Sequence, residues 1–235
     1  MAFSPLFSCT YGDNPGEIGR TAEFSIGYTL MQSGSMTRSA ESVYNDFYTN
    51  YMLTKVVAPE TYSLQFDGNK MSVVDGRWDD SSMVTMLAGT YTVTGTSGPS
   101  GRVGDRMYLI FNEKVKIEPN TTSIVFNPAY DCSLVIFKKS DFASARCEYR
   151  PSPSYATDKT QFAEIGDYLY LFISEPSYES GGWGTMPLHI YAKKPSGEEI
   201  EFNAHELGFK KGYYYVFDTI TNSFNVPEMR RGVLD

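Results

Sequence analysis

The chain has 235 residues, enough for one large β-domain or two of ordinary size, each with a real core. Its net charge of -8 leaves no basic excess to hold a phosphate backbone, which argues against a nucleic-acid partner. No apolar run approaches the ~18 residues of a helical membrane span, and 18 Tyr and 15 Phe favour sheet over helix.

The chain opens on AFSPLFSC, in which Leu6-Phe7-Ser8 precede Cys9 and the polar, turn-rich TYGDNPGE follows. This resembles a bacterial lipobox, a short apolar segment ending in a small residue before the cysteine that receives lipid, and it makes Cys9 the candidate lipidation site. Acyl chains there would anchor a folded domain through a leash. Only eight residues precede Cys9, without a basic segment. Either the native start lies upstream of Met1 or the match is chance. Residues 10–20 carry three glycines and a proline and read as a tether, so 1–20 is assigned as leader remnant and tether.

From Glu23 to Leu30, Phe24, Ile26, Tyr28 and Leu30 alternate with small or polar residues, which predicts the first strand. The segment 41–55 predicts the one helix: Val43, Tyr44, Phe47, Tyr48, Tyr51 and Met52 recur by threes and fours along one stripe. Ser39 is its expected N-cap, with Glu41 in the first turn where the helix dipole favours an anion. An aromatic stripe of this kind is read as packing against a sheet rather than as a ligand box. Strands are next expected over 62–66 and 71–74 around an Asp67-Gly68-Asn69 hairpin turn, with a second turn at Asp75-Gly76 and Trp78 inside a strand and in the core. Asp75, Asp79 and Asp80 lack the oxygen spacing of a calcium loop and read as a solvated turn.

The stretch from Met86 to Pro99, MLAGTYTVTGTSGP, carries the clearest strand in the chain: Tyr91 and Val93 point one way, and Thr90, Thr92 and Thr94 the other. Its exit loop, TSGPSGRVGD, is glycine-rich but lacks the Gly-Lys-Ser/Thr ending of a phosphate-binding loop. Strands are then expected over 108–111, 115–117 and 123–126, with a turn at Pro119-Asn120; Asn120-Thr-Thr is formally a glycosylation sequon. The pattern restarts at Asn127-Pro128, where a domain boundary is placed, giving 21–128 and 129–235.

In the second half, Leu134–Phe137 is a short apolar run, consistent with a strand buried on both faces. Polar residues 142–160 read as a long connection. Strands are expected at 167–173, 188–192, 199–202 and 213–217, with Pro195-Ser-Gly197 turning one hairpin and a short tail after Asp218. Cys132 and Cys147 are either a disulfide, as an oxidising compartment would allow, or two buried thiols. In the loop 174–187, Trp183 between glycines and Tyr178 either stack on a glycan or fold back on the core.

Catalytic and metal motifs are absent: His189 falls in a strand and His205 in a polar loop, neither near a second ligand at metal spacing. Neither a nucleophile elbow nor an HExxH motif nor a dinucleotide fingerprint occurs, so no enzyme activity, cofactor, catalytic residue or metal site is assigned.

The order of a lipobox-like start, a strand, a helix, GTYTVTGTSGP, VKIEPNTTSIVFNP and KKGYYYVFDTI resembles the fimbrillin-like surface lipoproteins of Bacteroidales. The resemblance spans most of residues 20–220. It implies two tandem antiparallel β-sandwich domains, transthyretin-like or Ig-like, with the helix packed on the first. It further implies a non-enzymatic protein at the outer membrane or cell surface, held by lipid on Cys9 and acting in adhesion or as a pilus anchor or accessory subunit. Its partners would be other pilus or surface proteins, met by strand addition, or glycans met through Trp183 and Tyr178. With no long spare strand expected after Phe217, polymerisation through a C-terminal donor strand fits less well than an anchor, tip or stand-alone role. The alternatives are a carbohydrate-binding surface protein and a phage or other assembly protein.

Overall fold

The computed structural model describes residues 19–30, 40–68, 71–99, 101–149, 158–174, 188–203, 211–218 and 228–234. In the first half the elements are β1 (Thr21–Tyr28), helix α1 (Ala40–Phe47), β2 (Thr61–Asp67), β3 (Ser72–Arg77), β4 (Val84–Leu87), β5 (Gly89–Ser97), β6 (Val103–Gly104), β7 (Leu109–Ile117), β8 (Ser123–Phe126) and β9 (Ala129–Tyr130). One sheet runs β4-β1-β8 and the other β3-β2-β5-β7-β9. Between them lie Phe24 and Phe126 from the first sheet and Leu64, Phe66, Val93 and Phe111 from the second, all buried. The Phe126 ring meets Phe111 edge-on at 5.8 Å and Phe66 at 6.4 Å. β1 is paired antiparallel to β4 and parallel to β8, with Ser25 opposite Ser123.

The second half adds β10 (Ser133–Lys138), β11 (Ser144–Tyr149), β12 (Asp158–Gln161), β13 (Ala163–Ile165), β14 (Tyr168–Ile173), β15 (Leu188–Lys193), β16 (Glu199–Asn203), β17 (Tyr213–Asp218) and β18 (Glu228–Val233). Their sheets run β13-β14-β10-β17-β18 and β12-β11-β15-β16. The first of these is covered on both sides, which is why Leu134–Phe137 reads as unbroken apolar sequence. Val135, Phe137, Leu169, Leu171, Tyr215 and Phe217 pack on Ala145, Cys147, Ile190 and Ala192 of the other sheet. Leu134, Ile136, Tyr168, Tyr170, Tyr214 and Val216 turn the opposite way and join the core of the first half. One short strand also crosses over: β6 of the first half pairs with β14 of the second.

The helix is shorter and more central than the sequence suggests. Its α-turns end at Phe47, a π-helical turn follows over Tyr48–Met52, and Lys55 then takes a left-handed φ of 62°. Lys55 is held there by its Nζ, which donates to the Tyr28 carbonyl at 3.2 Å and sits 4.3 Å from the centre of the Tyr28 ring. The expected packing on the first sandwich is only half of its contact. Tyr44 stacks on Tyr214 at 3.8 Å, and Phe47 meets Tyr168 and Tyr170 at 5.8 and 5.1 Å. Ser39 lies outside the described residues.

Several further expectations are corrected. Asp75-Gly76 is not a turn but part of β3, because the Tyr62 ring lies over the glycine so closely that a Cβ there would sit 2.6 Å from Tyr62 Cζ. Trp78 comes just after that strand; it is half-buried against Tyr62 and Tyr28, and its Nε1 donates to Ser97 Oγ at 2.7 Å. Residues 108–111 and 115–117 belong to one strand, β7, since β5 pairs with it from Gly89↔Ile117 to Ser97↔Leu109 and so carries the polar Asn112-Glu113-Lys114 along. The connection expected over 142–160 contains β11. The expected tail contains β18, which pairs antiparallel with β17.

Candidate functional site

The residues singled out in the sequence do not converge on one place. Cys9, Tyr178, Trp183 and His205 lie outside the described residues. Cys132 and Cys147 are buried thiols in different cores, Cys132 with the first and Cys147 with the second, so the structure does not join them. Burial pushes the Cys132 thiol up to about 12, with the nearby Asp131 carboxylate adding to the shift, and its Sγ donates to the Tyr108 carbonyl at 3.6 Å. Asp79 accepts from Arg77 Nε at 3.0 Å, and Asp80 accepts the Ser82 N–H at 3.0 Å, which closes a local turn. Among the described residues no three His, Cys, Asp or Glu side chains gather as a metal set would require.

What the fold does assemble is a charged face on the sheet β12-β11-β15-β16. Arg146 on β11 donates from Nε to Glu148 at 2.9 Å and from Nη1 to Glu199 of β16 at 2.5 Å, with its guanidinium 4.3 Å over the Tyr191 ring of β15. The Glu148 side chain is 1% exposed and also faces Lys159 Nζ at 3.3 Å. Arg146 is held above the ordinary arginine range, mainly by its hydrogen bond to Glu199, and Glu199 is correspondingly held below the usual carboxylate range. Beside it, His189 Nδ1 lies 2.8 Å from Glu201, which also accepts the Tyr191 hydroxyl at 3.1 Å. His189 and Tyr191 stand two residues apart on β15, and Glu201 is the register partner of Tyr191 across the Pro195-Ser-Gly197 turn. Sequence reasoning placed the strands and the turn. Counting back from that turn would have brought these side chains together.

The second kind of surface is the strand edge. Among the described residues, β3, β4, β8, β12 and β16 each stand at the end of a sheet and pair on one side only. A strand with one unpaired edge presents a row of N–H and C=O groups to any further strand. Apolar side chains stand exposed on three of them: Val73 on β3, Leu87 on β4 and Val125 on β8.

The chain is thus a β-sandwich protein that presents open strand edges and a charged sheet face. No family model matches it, and no curated protein does. Solved structures do. The chain is similar to a candidate cell adhesion protein from Bacteroides uniformis (11% identity, 75% of this chain and 91% of that one, TM-score 0.45). It is similar to the tip fimbrial protein Mfa3 from Porphyromonas gingivalis (10% identity, 76% and 94%, TM-score 0.45) and to a fimbrial assembly protein from Parabacteroides distasonis (10% identity, 90% and 95%, TM-score 0.43). These are proteins of Bacteroidales, the group in which the sequence resemblance falls.

Proposed function

We propose that the chain is a non-enzymatic, fimbrillin-like protein of the cell surface that acts in adhesion or as a pilus anchor or accessory subunit. The observation that carries this reading is the scaffold itself. Two pairs of sheets share a helix, and among the described residues their outer strands pair on one side only, which leaves backbone groups to accept a strand from another protein. The motif order that runs from GTYTVTGTSGP to KKGYYYVFDTI supports the same reading, as do the printed names of the similar solved structures, which are fimbrial and adhesion proteins. In this reading Cys9 carries the lipid that holds the protein at the outer membrane, the glycine-rich stretch to residue 20 is the leash, and other pilus or surface proteins are the partners. Glycans would be met through Trp183 and Tyr178.

The test is expression of the full gene, with any codons upstream of Met1, in a Bacteroides host, followed by intact mass and membrane partition of wild type and Cys9→Ala. The expected result is a mature chain beginning at an acylated Cys9 and release of the variant from the membrane. A protein that keeps Met1 and stays soluble overturns the anchor. Failure to co-purify with any surface or pilus protein after crosslinking on whole cells overturns the assembly role.

A further inference from the structure

The edge strand β3 differs from the others in its charge pattern. Trp78 N–H donates to the Glu60 carbonyl at 3.0 Å, which marks Glu60 and Trp78 as a hydrogen-bonded pair of the β2·β3 ladder. In an antiparallel ladder such pairs alternate, so Gly76, Val74 and Ser72 also turn their backbone groups toward β2. Val73 and Asp75 therefore point their N–H and C=O groups outward, at an edge with no described partner strand; Arg77 does so with its N–H, while its C=O accepts the Asp80 N–H at 3.3 Å. The strand has no proline and no bulge to blunt that edge. Val73 is 58% exposed, and the Arg77 side chain is 53% exposed.

We propose that two copies of this chain pair through β3, edge to edge and antiparallel, with Gly76 opposite the partner's Gly76 and Asp75 of each copy opposite the partner's Arg77. Charge selects this register. Only registers that set outward-facing residues against one another form hydrogen bonds across the seam. Centring on Asp75 opposes two carboxylates, centring on Arg77 opposes two guanidiniums, and centring on Val74 makes no Asp75–Arg77 pair. Centring on Gly76 instead makes two cross-strand ion pairs, and the Arg77 N–H of each copy donates to the partner's Asp75 C=O, about two backbone hydrogen bonds. Such an isologous contact is self-complementary and closes at two copies.

The β16, β4 and β8 edges lack this property. β16 carries Glu199 and Glu201, whose self-pairing opposes acid to acid, and β4 and β8 carry no charge and are four residues each. Arg77 now faces Asp79 at 3.0 Å and Glu60 at 3.6 Å; these pairs are exposed and contribute little, so the guanidinium is available to a partner strand. Glu60, Asp79 and Asp80 flank the seam in both copies, so the pairing is weak and shows at high protein concentration. The self-pairing does not depend on lipid at Cys9 or on a pilus partner.

Sedimentation over a concentration series tests it, together with hydrogen exchange of the β3 amides. The wild type is expected to dimerise with rising concentration while the Arg77 amide slows. Asp75→Arg and Arg77→Asp are each expected to lose the dimer, and the double swap Asp75→Arg/Arg77→Asp to regain it. A wild type that stays monomeric overturns the proposal. So do single variants that still dimerise, a double swap that stays monomeric, or a dimer in which the β3 amides exchange unchanged.

Discussion

At the scale of single residues, two kinds of constraint stand out. Gly95 lies at the middle of the β5 ladder, where a Cβ would come within 2.2 Å of the Ser63 carbonyl oxygen and 2.9 Å of Leu64 Cα. Both are backbone atoms that cannot swing aside. Gly95→Ala is therefore expected to destabilise the protein by about 3 kcal/mol, measured by urea unfolding. The second constraint is burial of ionisable groups in neutral form. Burial pushes the Tyr28, Tyr108 and Tyr170 phenols up to about 12, from an ordinary 10.0, and Cys132 up to about 12 from 9.0. A folded-state value above the unfolded one means that the stabilisation is complete below the unfolded value and lost as pH rises toward the folded one. The protein should therefore lose stability between about pH 10 and 12, with phenolate absorbance rising together with unfolding rather than before it. Within the native range Cys132 should resist alkylation until denaturant is added.

At the scale of elements, α1 and its π-helical extension do more than cap a sheet. Phe47 is fully buried, and it touches Tyr51 of its own helical segment and Tyr168 and Tyr170 of the second half. Asp46 accepts the Tyr168 hydroxyl at 2.5 Å, a second link across the same seam. Phe47→Ala is expected to cost about 4 kcal/mol, seen as a lowered urea midpoint, because the hole opens where the two halves meet and neither can close it alone. The sequence made this helix visible through its period but not its position, since one apolar stripe looks the same whether it covers one sheet or two. Strand legibility follows the size of the inward side chains. β5, β10, β14 and β17 were readable because they bury Tyr, Val, Leu, Ile and Phe. β11 was not, because its inward residues are Ala145 and Cys147 between charged Arg146 and Glu148, and Arg230-Arg231 concealed β18 in the same way. Of the candidate site, the charged face was hidden for a different reason. Arg146, Glu199, His189 and Glu201 are scattered over more than fifty positions of sequence and meet only through cross-strand register.

At the scale of the whole molecule, the two halves are less independent than the restart of the pattern at Asn127-Pro128 implies. The first core draws in Leu134, Ile136, Phe172, Tyr214 and Leu234 from the far half, and β6 pairs across the junction with β14. Calorimetry is expected to show one cooperative transition, and a fragment of residues 21–128 alone is expected not to fold, because its central helix would expose Tyr44 and Phe47 to water. The parallel pairing of β1 with β8 bears on how the molecule comes into being. The Ser25 hydroxyl and N–H reach the Thr122 carbonyl, a contact that spans 97 residues of chain. β1 therefore waits for one of its neighbours until β8 has been made, and a closure over so long a stretch is slow. Until then the inner edge of β1 stays unpaired, and the sandwich closes only when the chain has supplied both sides of its opening strand.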